Sequence, residues 1–493
     1  MQRSTGFRLA GGLCWRGLGL VYAIAFASLG VQALGLYGAR GILPVAELLP
    51  LLRERLGPAA MVHVPTLFWL DASDPVLGAS CWIGVAIGLA LAAGLAPKLC
   101  AALCWALYLS WCQVGQVFLG FQWDALLLET GLLAIWLAPA ARRVPLGRLP
   151  DPPAEPLWLL RWLVFRLFLL SGLVKLLSGD PAWRDLSAMA FHQWTQPLPN
   201  PLSPFVHALP LRIHEGETLA TFAVELGLPW LVFAPAPLPR VAAAGFCALL
   251  AAINLTGNYG FFGPLAALLC VPLVDDAVWR RVPGLRALPT AVPRATRSPL
   301  RRALAGAAVA FVVIVTSGAA LLRIGFDLPA PWQRLLAWSQ PLDSFHAYGL
   351  FAVMTKDRAE IELEGSLDGE SWRSYEFRWK PDRVDEPPPI VPFHMPRLDW
   401  QMWFAALEDC GSNGWFLAFQ RRLLQASPEV LGLLARDPFA GRTPRFVRSS
   451  LARYRFADRA TRRRTGDWWT REPLGPYCPT LELGADGRLG VVR

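Results

Sequence analysis

The sequence predicts a polytopic α-helical membrane protein of about nine spans, followed by a C-terminal β-rich, β-sandwich-like domain exported from the membrane. Three observations lead there. Of 493 residues, 54% are hydrophobic and only 17% charged, and the mean hydropathy of +0.36 is too high for a soluble chain of this length. Charge is unevenly spread: of 47 basic and 37 acidic residues, 38 lie in residues 1–322 and 46 in the last 171. Apolar stretches of membrane-spanning length recur only before that change. Residues 1–322 are therefore read as a multi-span transmembrane domain and 323–493 as an extracytoplasmic domain.

A span needs roughly 20 apolar residues, because its backbone N–H and C=O groups must pair within the segment. Nine stretches qualify, at approximately 17–36, 76–96, 99–119, 124–141, 157–177, 218–235, 241–257, 260–278 and 303–322. The second and third are separated by little more than Pro97-Lys98, and the seventh and eighth by Gly257-Asn258-Tyr259, so re-entrant hairpins are the alternative there. The first stretch reads as a signal anchor rather than a cleaved leader. Short cytoplasmic loops collect Lys and Arg. With Arg3 and Arg8 inside, the cytoplasmic loops hold Lys98, then Arg142, Arg143 and Arg148, then Arg240, then the run from Arg280 through Arg294 and Arg297 to Arg302. An odd number of spans then exports the C-terminal domain.

Arg outnumbers Lys 43 to 4, a bias of GC-rich bacterial coding, and the expected location is a bacterial inner membrane with the last domain in the periplasm. The net charge of +10 sits largely in cytoplasmic loops, where anionic lipid headgroups are partners enough, and no nucleic acid is expected. Seven of nine cysteines lie in or beside the spans and behave as small hydrophobes. Cys410 and Cys478 fall in the exported domain, where an oxidising compartment permits a disulfide but spacing alone does not decide it.

Familiar catalytic patterns are missing: no C-x-x-C, H-E-x-x-H, G-x-S-x-G or Walker loop occurs. His192, His207 and His214 share a Pro-rich loop at spacings that match no standard metal site, so no metal and no cofactor is expected. Ionisable groups inside spans are costly and face the bundle interior. Asp124, Glu129, Arg166, Lys175 and Glu225 are the candidates. Asp124 reads as a helix cap near the interface, while Glu129 and Glu225 read as neutralisers of Arg166 and Lys175. A desolvated Lys175 acting as a base is the alternative.

In the last domain, residues 359–379 alternate polar and apolar side chains on both sides of Asp368-Gly369, the pattern of a β-hairpin. Pro396 to Phe404 crowds tryptophan, methionine and phenylalanine, which makes either a core or an adhesive surface, with Asp399 and Gln401 as helix caps and Arg397 as a partner for Asp399. Tyr454 and Phe456 fit an edge strand beside a solvated Arg462-Arg463-Arg464 run.

The string N-L-T-G-N-Y-G-F-F at 254–262 and P-R-L-D-W-Q-M-W-F-A-A-L at 396–407 together resemble the lipase maturation factors. Further matches are G-L-G-L-V-Y-A-I-A-F-A-S-L at 17–29, W-D-A-L-L-L-E-T-G at 123–131, S-G-D-P-A-W-R-D-L-S-A-M at 178–189 and Trp468-Trp469. The resemblance implies a chaperone-like, non-enzymatic maturation factor for secreted clients, with lipases as the family's clients and the exported domain making contact. It tips the aromatic segment toward a partly exposed client-binding surface of Arg397, Asp399, Trp400, Met402, Trp403 and Phe404. The string S-G-L-V-K-L at 171–176 is also similar to the membrane domain of vitamin K-dependent γ-carboxylases, where a lysine in the corresponding segment serves catalysis, which implies Lys175 as the base of an alternative, enzymatic reading.

Overall fold

All nine apolar stretches lie in helical segments of the computed structural model, which describes residues 6–286 and 298–492. Arg3, Arg294 and Arg297, used above for orientation, lie outside the described residues. The principal helices are α1 (Arg8–Gly30), α2 (Asp74–Ala93), α3 (Pro97–Val114), α4 (Gln122–Leu137), α5 (Ala154–Leu177), α6 (Leu211–Phe222), α7 (Leu238–Thr256), α8 (Phe262–Leu269), α9 (Pro299–Arg323), α10 (Arg397–Ala405) and α11 (Gly414–Leu424).

Among the described residues, five helices are long and apolar enough to cross a membrane: α1, α2, α5, α7 and α9. The other four stretches are shorter or interrupted. At 1.5 Å per residue, α4 spans only about 24 Å, and α3 carries Lys98, Ser110 and Gln113. The sixth stretch runs from α6 through a π-helical turn at Ala223–Gly227 into a 3-10 turn at Leu228–Phe233. The eighth gives way after Leu269 to a turn containing Pro272. Nine is thus the number of apolar segments, and five the number that qualify by length and composition.

Helices α1 and α2 pack backbone to backbone. A Cβ on Gly19 would stand 2.6 Å from the Gly88 oxygen, and one on Gly88 would stand 2.7 Å from the Gly19 oxygen, so only glycine allows this approach. Behind this contact Tyr108 meets Tyr22 and Phe26 edge to face, and all three are fully buried.

The C-terminal domain holds one antiparallel sheet in the order β2-β1-β3-β4-β5, formed by β1 (Ala359–Ser366), β2 (Trp372–Tyr375), β3 (Phe446–Phe456), β4 (Trp469–Leu483) and β5 (Leu489–Val491). The hairpin expected at Asp368-Gly369 joins β1 to β2 in register Ser366 with Trp372. Gly369 takes φ +85°, and the Asp368 carboxylate accepts from the backbone N–H of Glu370 (2.9 Å) and Ser371 (2.7 Å), which holds its pKa well below the usual carboxylate range. Ile361 and Leu363 point into the core, whereas Glu362 meets Arg471 and Tyr454 and Glu364 meets Arg448.

Two expectations fail here. The sandwich does not form: a single sheet is packed by α10 and α11, and no second sheet exists among the described residues. β3 is central, between β1 and β4, and Tyr454 is fully buried. Its alternating aromatics are core contacts with Trp469, since Tyr454 meets that ring edge-on. Cys410 and Cys478 form a disulfide, tying the short turn before α11 to β4, with Cα atoms 5.5 Å apart.

Candidate functional site

The two sequence strings at 254–262 and 396–407 meet in space, at the junction of the helical domain and the sheet domain. Asn258 stands at their meeting point. Its amide donates to the carbonyl of Pro389 (2.9 Å) and its Oδ1 accepts from the N–H of Val391 (2.8 Å). Gly260 sits at φ +53°, and a Cβ there would lie 2.7 Å from the Met395 methyl. Tyr259 packs edge-on against Trp400, ring centroids 5.8 Å apart. The intervening Pro387-Pro388-Pro389 run is the strap that α7's end holds.

Helix α10 is driven into this junction. Arg397 and Asp124 are both fully buried and form a two-pronged pair at 2.8 and 3.0 Å. Tyr108 donates to the same carboxylate at 2.6 Å, and the Arg397 guanidinium also donates to the Phe118 carbonyl at 2.6 Å. The Arg397 backbone N–H is received by Gln32 of the segment after α1 (2.9 Å). Asp124 is therefore no interfacial cap, and Arg397 does not pair with Asp399. Asp399 instead accepts the backbone N–H groups of Trp379 (2.9 Å) and Lys380 (3.0 Å). Burial outweighs those bonds and pushes its carboxyl up to about 6.

The exposed client surface expected on this segment is not what the structure shows. Arg397, Asp399, Trp400, Met402 and Trp403 are all buried, and Phe404 is partly so. Trp400 stands edge-on to Trp123 at 4.8 Å, Trp403 donates to the Thr195 carbonyl at 2.8 Å, and Phe404 stacks on Phe121 at 5.6 Å. The cause is that the helical domain covers this segment, with Trp123 and Phe121 as ring partners for Trp400 and Phe404.

The other four intramembrane charges singled out above are also paired. Arg166 of α5 bonds Glu129 of α4 and the His346 carbonyl (2.8 Å), while Tyr348 donates to Glu129 at 2.6 Å. Lys175 in the last turn of α5 donates to both carboxylate oxygens of Glu225, at 2.9 and 2.8 Å, and to the Ser171 carbonyl at 3.1 Å. Glu225 reaches it from the π-helical turn, which widens the helix at that point. Beyond the helices, Arg358 and Lys380 flank Glu360 at 2.7 and 3.1 Å, all three buried.

Lys175 and Glu225 border a cavity of about 400 Å³ between α5, α6 and α7. His192 and Tyr259 line it as well, 3.2 Å apart, and Tyr259 donates to Gln196 at 2.9 Å. Burial holds His192 neutral, its pKa lowered to about 4. The three histidines of the 188–214 region form no single cluster: His214 bonds Glu217 at 2.9 Å and lies 3.4 Å from the His207 carbonyl, while His192 lines the cavity. Among the described residues no group of three or more His, Cys, Asp or Glu side chains is placed to hold a metal ion. Sequence reasoning missed Tyr108, Tyr348, Gln32 and Asn258, which complete these networks, and the polar lining Gln193 and Tyr259, and it weighed His192 only as a metal ligand. For Tyr108 the signal was a polar residue inside an apolar string.

The helices and the locked junction define a class: a multi-pass membrane protein that carries a sheet-rich domain fixed onto its helical bundle through the buried Arg397–Asp124 pair. Within that class the chain belongs to the lipase maturation factor family. The lipase maturation factor transmembrane domain matches residues 10–281, and the lipase maturation factor C-terminal domain matches 344–479. Human lipase maturation factor 2 is 34% identical over 97% of this chain and 84% of its own. Bovine lipase maturation factor 1 is 34% identical over 96% and 90%, and Xenopus laevis lipase maturation factor 2 is 30% identical over 97% and 83%. No solved structure matches.

Proposed function

We propose that this protein is a membrane-anchored maturation factor that helps secreted clients of the lipase class reach an active fold, with the C-terminal domain contacting the client. The observation that carries the reading is similarity to lipase maturation factors that runs through both domains rather than one. In this reading Asp124, Glu129, Arg166 and Arg397 are structural charges that hold the domain in one orientation, and Lys175 and Glu225 are structural charges within the helical domain. Lys175, with both Glu225 oxygens on its side-chain nitrogen, serves in this reading as the charge partner of Glu225. The client surface then lies on the outward side of the C-terminal domain, away from α10.

The topology that suits this role has nine membrane-crossing segments, a cytoplasmic N-terminus and an exported C-terminal domain, in a bacterial inner membrane whose lipids neutralise the Arg-rich loops. The Cys410–Cys478 disulfide supports an oxidising compartment for that domain.

Expression in cells lacking lipase maturation factor 1, together with a secreted lipase, tests the function. The expected result is a rise in lipase activity per unit of secreted lipase mass over an empty vector. No rise, with the protein present in the membrane at the level of bovine lipase maturation factor 1, refutes it.

A further inference from the structure

The cavity between α5, α6 and α7 falls within the range of small-molecule sites, roughly 300–1,000 Å³, and like them is mainly apolar with a few polar groups. Leu167, Phe168, Leu249 and Ile253 supply apolar wall. Two independent observations say what kind of molecule belongs there.

First, Gln193 lines the cavity at 2% exposure, and its Oε1 has no hydrogen-bond partner among the described residues. That oxygen presents almost no surface to the empty cavity, so a ligand hydroxyl reaches it through a turn of the Gln193 side chain and then gives it the donor it lacks. Second, the exposed residues of the lining are small: Ala220 on α6 and Ala248 and Ala252 on α7. Ala248 and Ala252 place a mouth on the flank of α7, a helix long and apolar enough to cross a membrane, where a bilayer would present hydrocarbon.

Charge narrows the class further. The Lys175 ammonium is taken up by both oxygens of Glu225, and among the described residues no other Lys or Arg lines the cavity to hold an anionic head.

We propose that this cavity binds a neutral single-chain lipid with a hydroxyl-bearing head, of the monoacylglycerol or long-chain-alcohol class, admitted sideways from the bilayer with its hydroxyl donating to Gln193. The chain lies along the Phe168 and Leu249 wall. The proposal does not depend on the maturation role, because the cavity lies in the helical domain and its occupancy is read without a client.

The test uses full-length protein in phosphatidylcholine vesicles and a monooleoylglycerol probe carrying a diazirine and an alkyne in its chain. Crosslinks should map to residues 217–225 and 245–256 and be competed by unlabelled monooleoylglycerol. Ala248→Trp, or Ala252→Trp if the first variant does not elute as a single species, should abolish these crosslinks by filling the mouth. Gln193→Leu should weaken competition about three- to tenfold, the worth of one neutral hydrogen bond. Labelling spread evenly over the outer faces of α2 and α9 and indifferent to either tryptophan overturns the site. Equal competition by oleate overturns the neutral head.

Discussion

Replacing Arg397 by methionine would leave the Asp124 carboxylate at zero exposure with only Tyr108 as a side-chain donor, because both guanidinium contacts, at 2.8 and 3.0 Å, vanish. The Phe118 carbonyl loses its 2.6 Å donor as well. Breaking a buried pair from one side typically costs about 3–5 kcal/mol, since the remaining charge is stranded in a low-dielectric interior. Unfolding entropy of roughly 2 cal/mol/K per residue gives about 1 kcal/mol/K over 493 residues if the chain melts as a unit. The melting midpoint of the detergent-purified variant should therefore fall by about 3–5 °C. The double variant Arg397→Met with Asp124→Leu should recover most of that loss, because no charge is left unpaired. Melting curves of the parent, both single variants and the double variant form the cycle that measures this coupling. A midpoint unchanged by Arg397→Met, or a double variant as unstable as the two singles combined, would refute the account of the junction as an ion-pair lock.

Trp400→Ala should lower stability by about 3–5 kcal/mol, because it empties a site bounded by Trp123 and Tyr259; an unchanged melt with lost client capture would return the segment to the surface. Cys410→Ser removes a crosslink between residues 68 apart and should cost about 4 kcal/mol on loop entropy. Its signature is a melt that no longer responds to reductant, and an unaltered response would mean that the pair is not oxidised. His394 is held neutral by burial and by nearby Arg397, its pKa lowered to about 4, while an unfolded histidine titrates near 6.5. The unfolded chain thus binds the proton more readily, so the stability this neutral ring preserves is full above about pH 6.5 and is lost as pH falls toward 4. His394→Asn should flatten the acid limb between pH 6.5 and 5 by up to about 2 kcal/mol, and equally steep limbs in variant and parent would refute it.

The hairpin at Asp368-Gly369 was readable because turn chemistry is local: an aspartate that caps its own turn and a glycine at positive φ act within four residues. The helical segments were readable for the same reason, since a run of apolar residues carries its own backbone solution. The span count was less so, because a break such as the π-helical turn at Glu225 depends on a partner, Lys175, that lies 50 residues away. The single sheet was misread as a sandwich because alternation reveals that one face is buried, not whether a sheet or helices bury it.

Composition alone made this a membrane protein with a polar final domain, and ordered strings of local sequence made it a member of its family. The fate of residues 396–407 was decided elsewhere. A cluster of tryptophan, methionine and phenylalanine reads the same whether it greets a client or fills a core, and Arg397 can bond any carboxylate within reach. Asp124, 273 residues away, became that carboxylate because folding placed α10 against α4, where desolvation makes the pairing of these two charges obligatory. Which charges meet and which rings are covered are properties of packing between distant segments, so only the folded chain could reveal them.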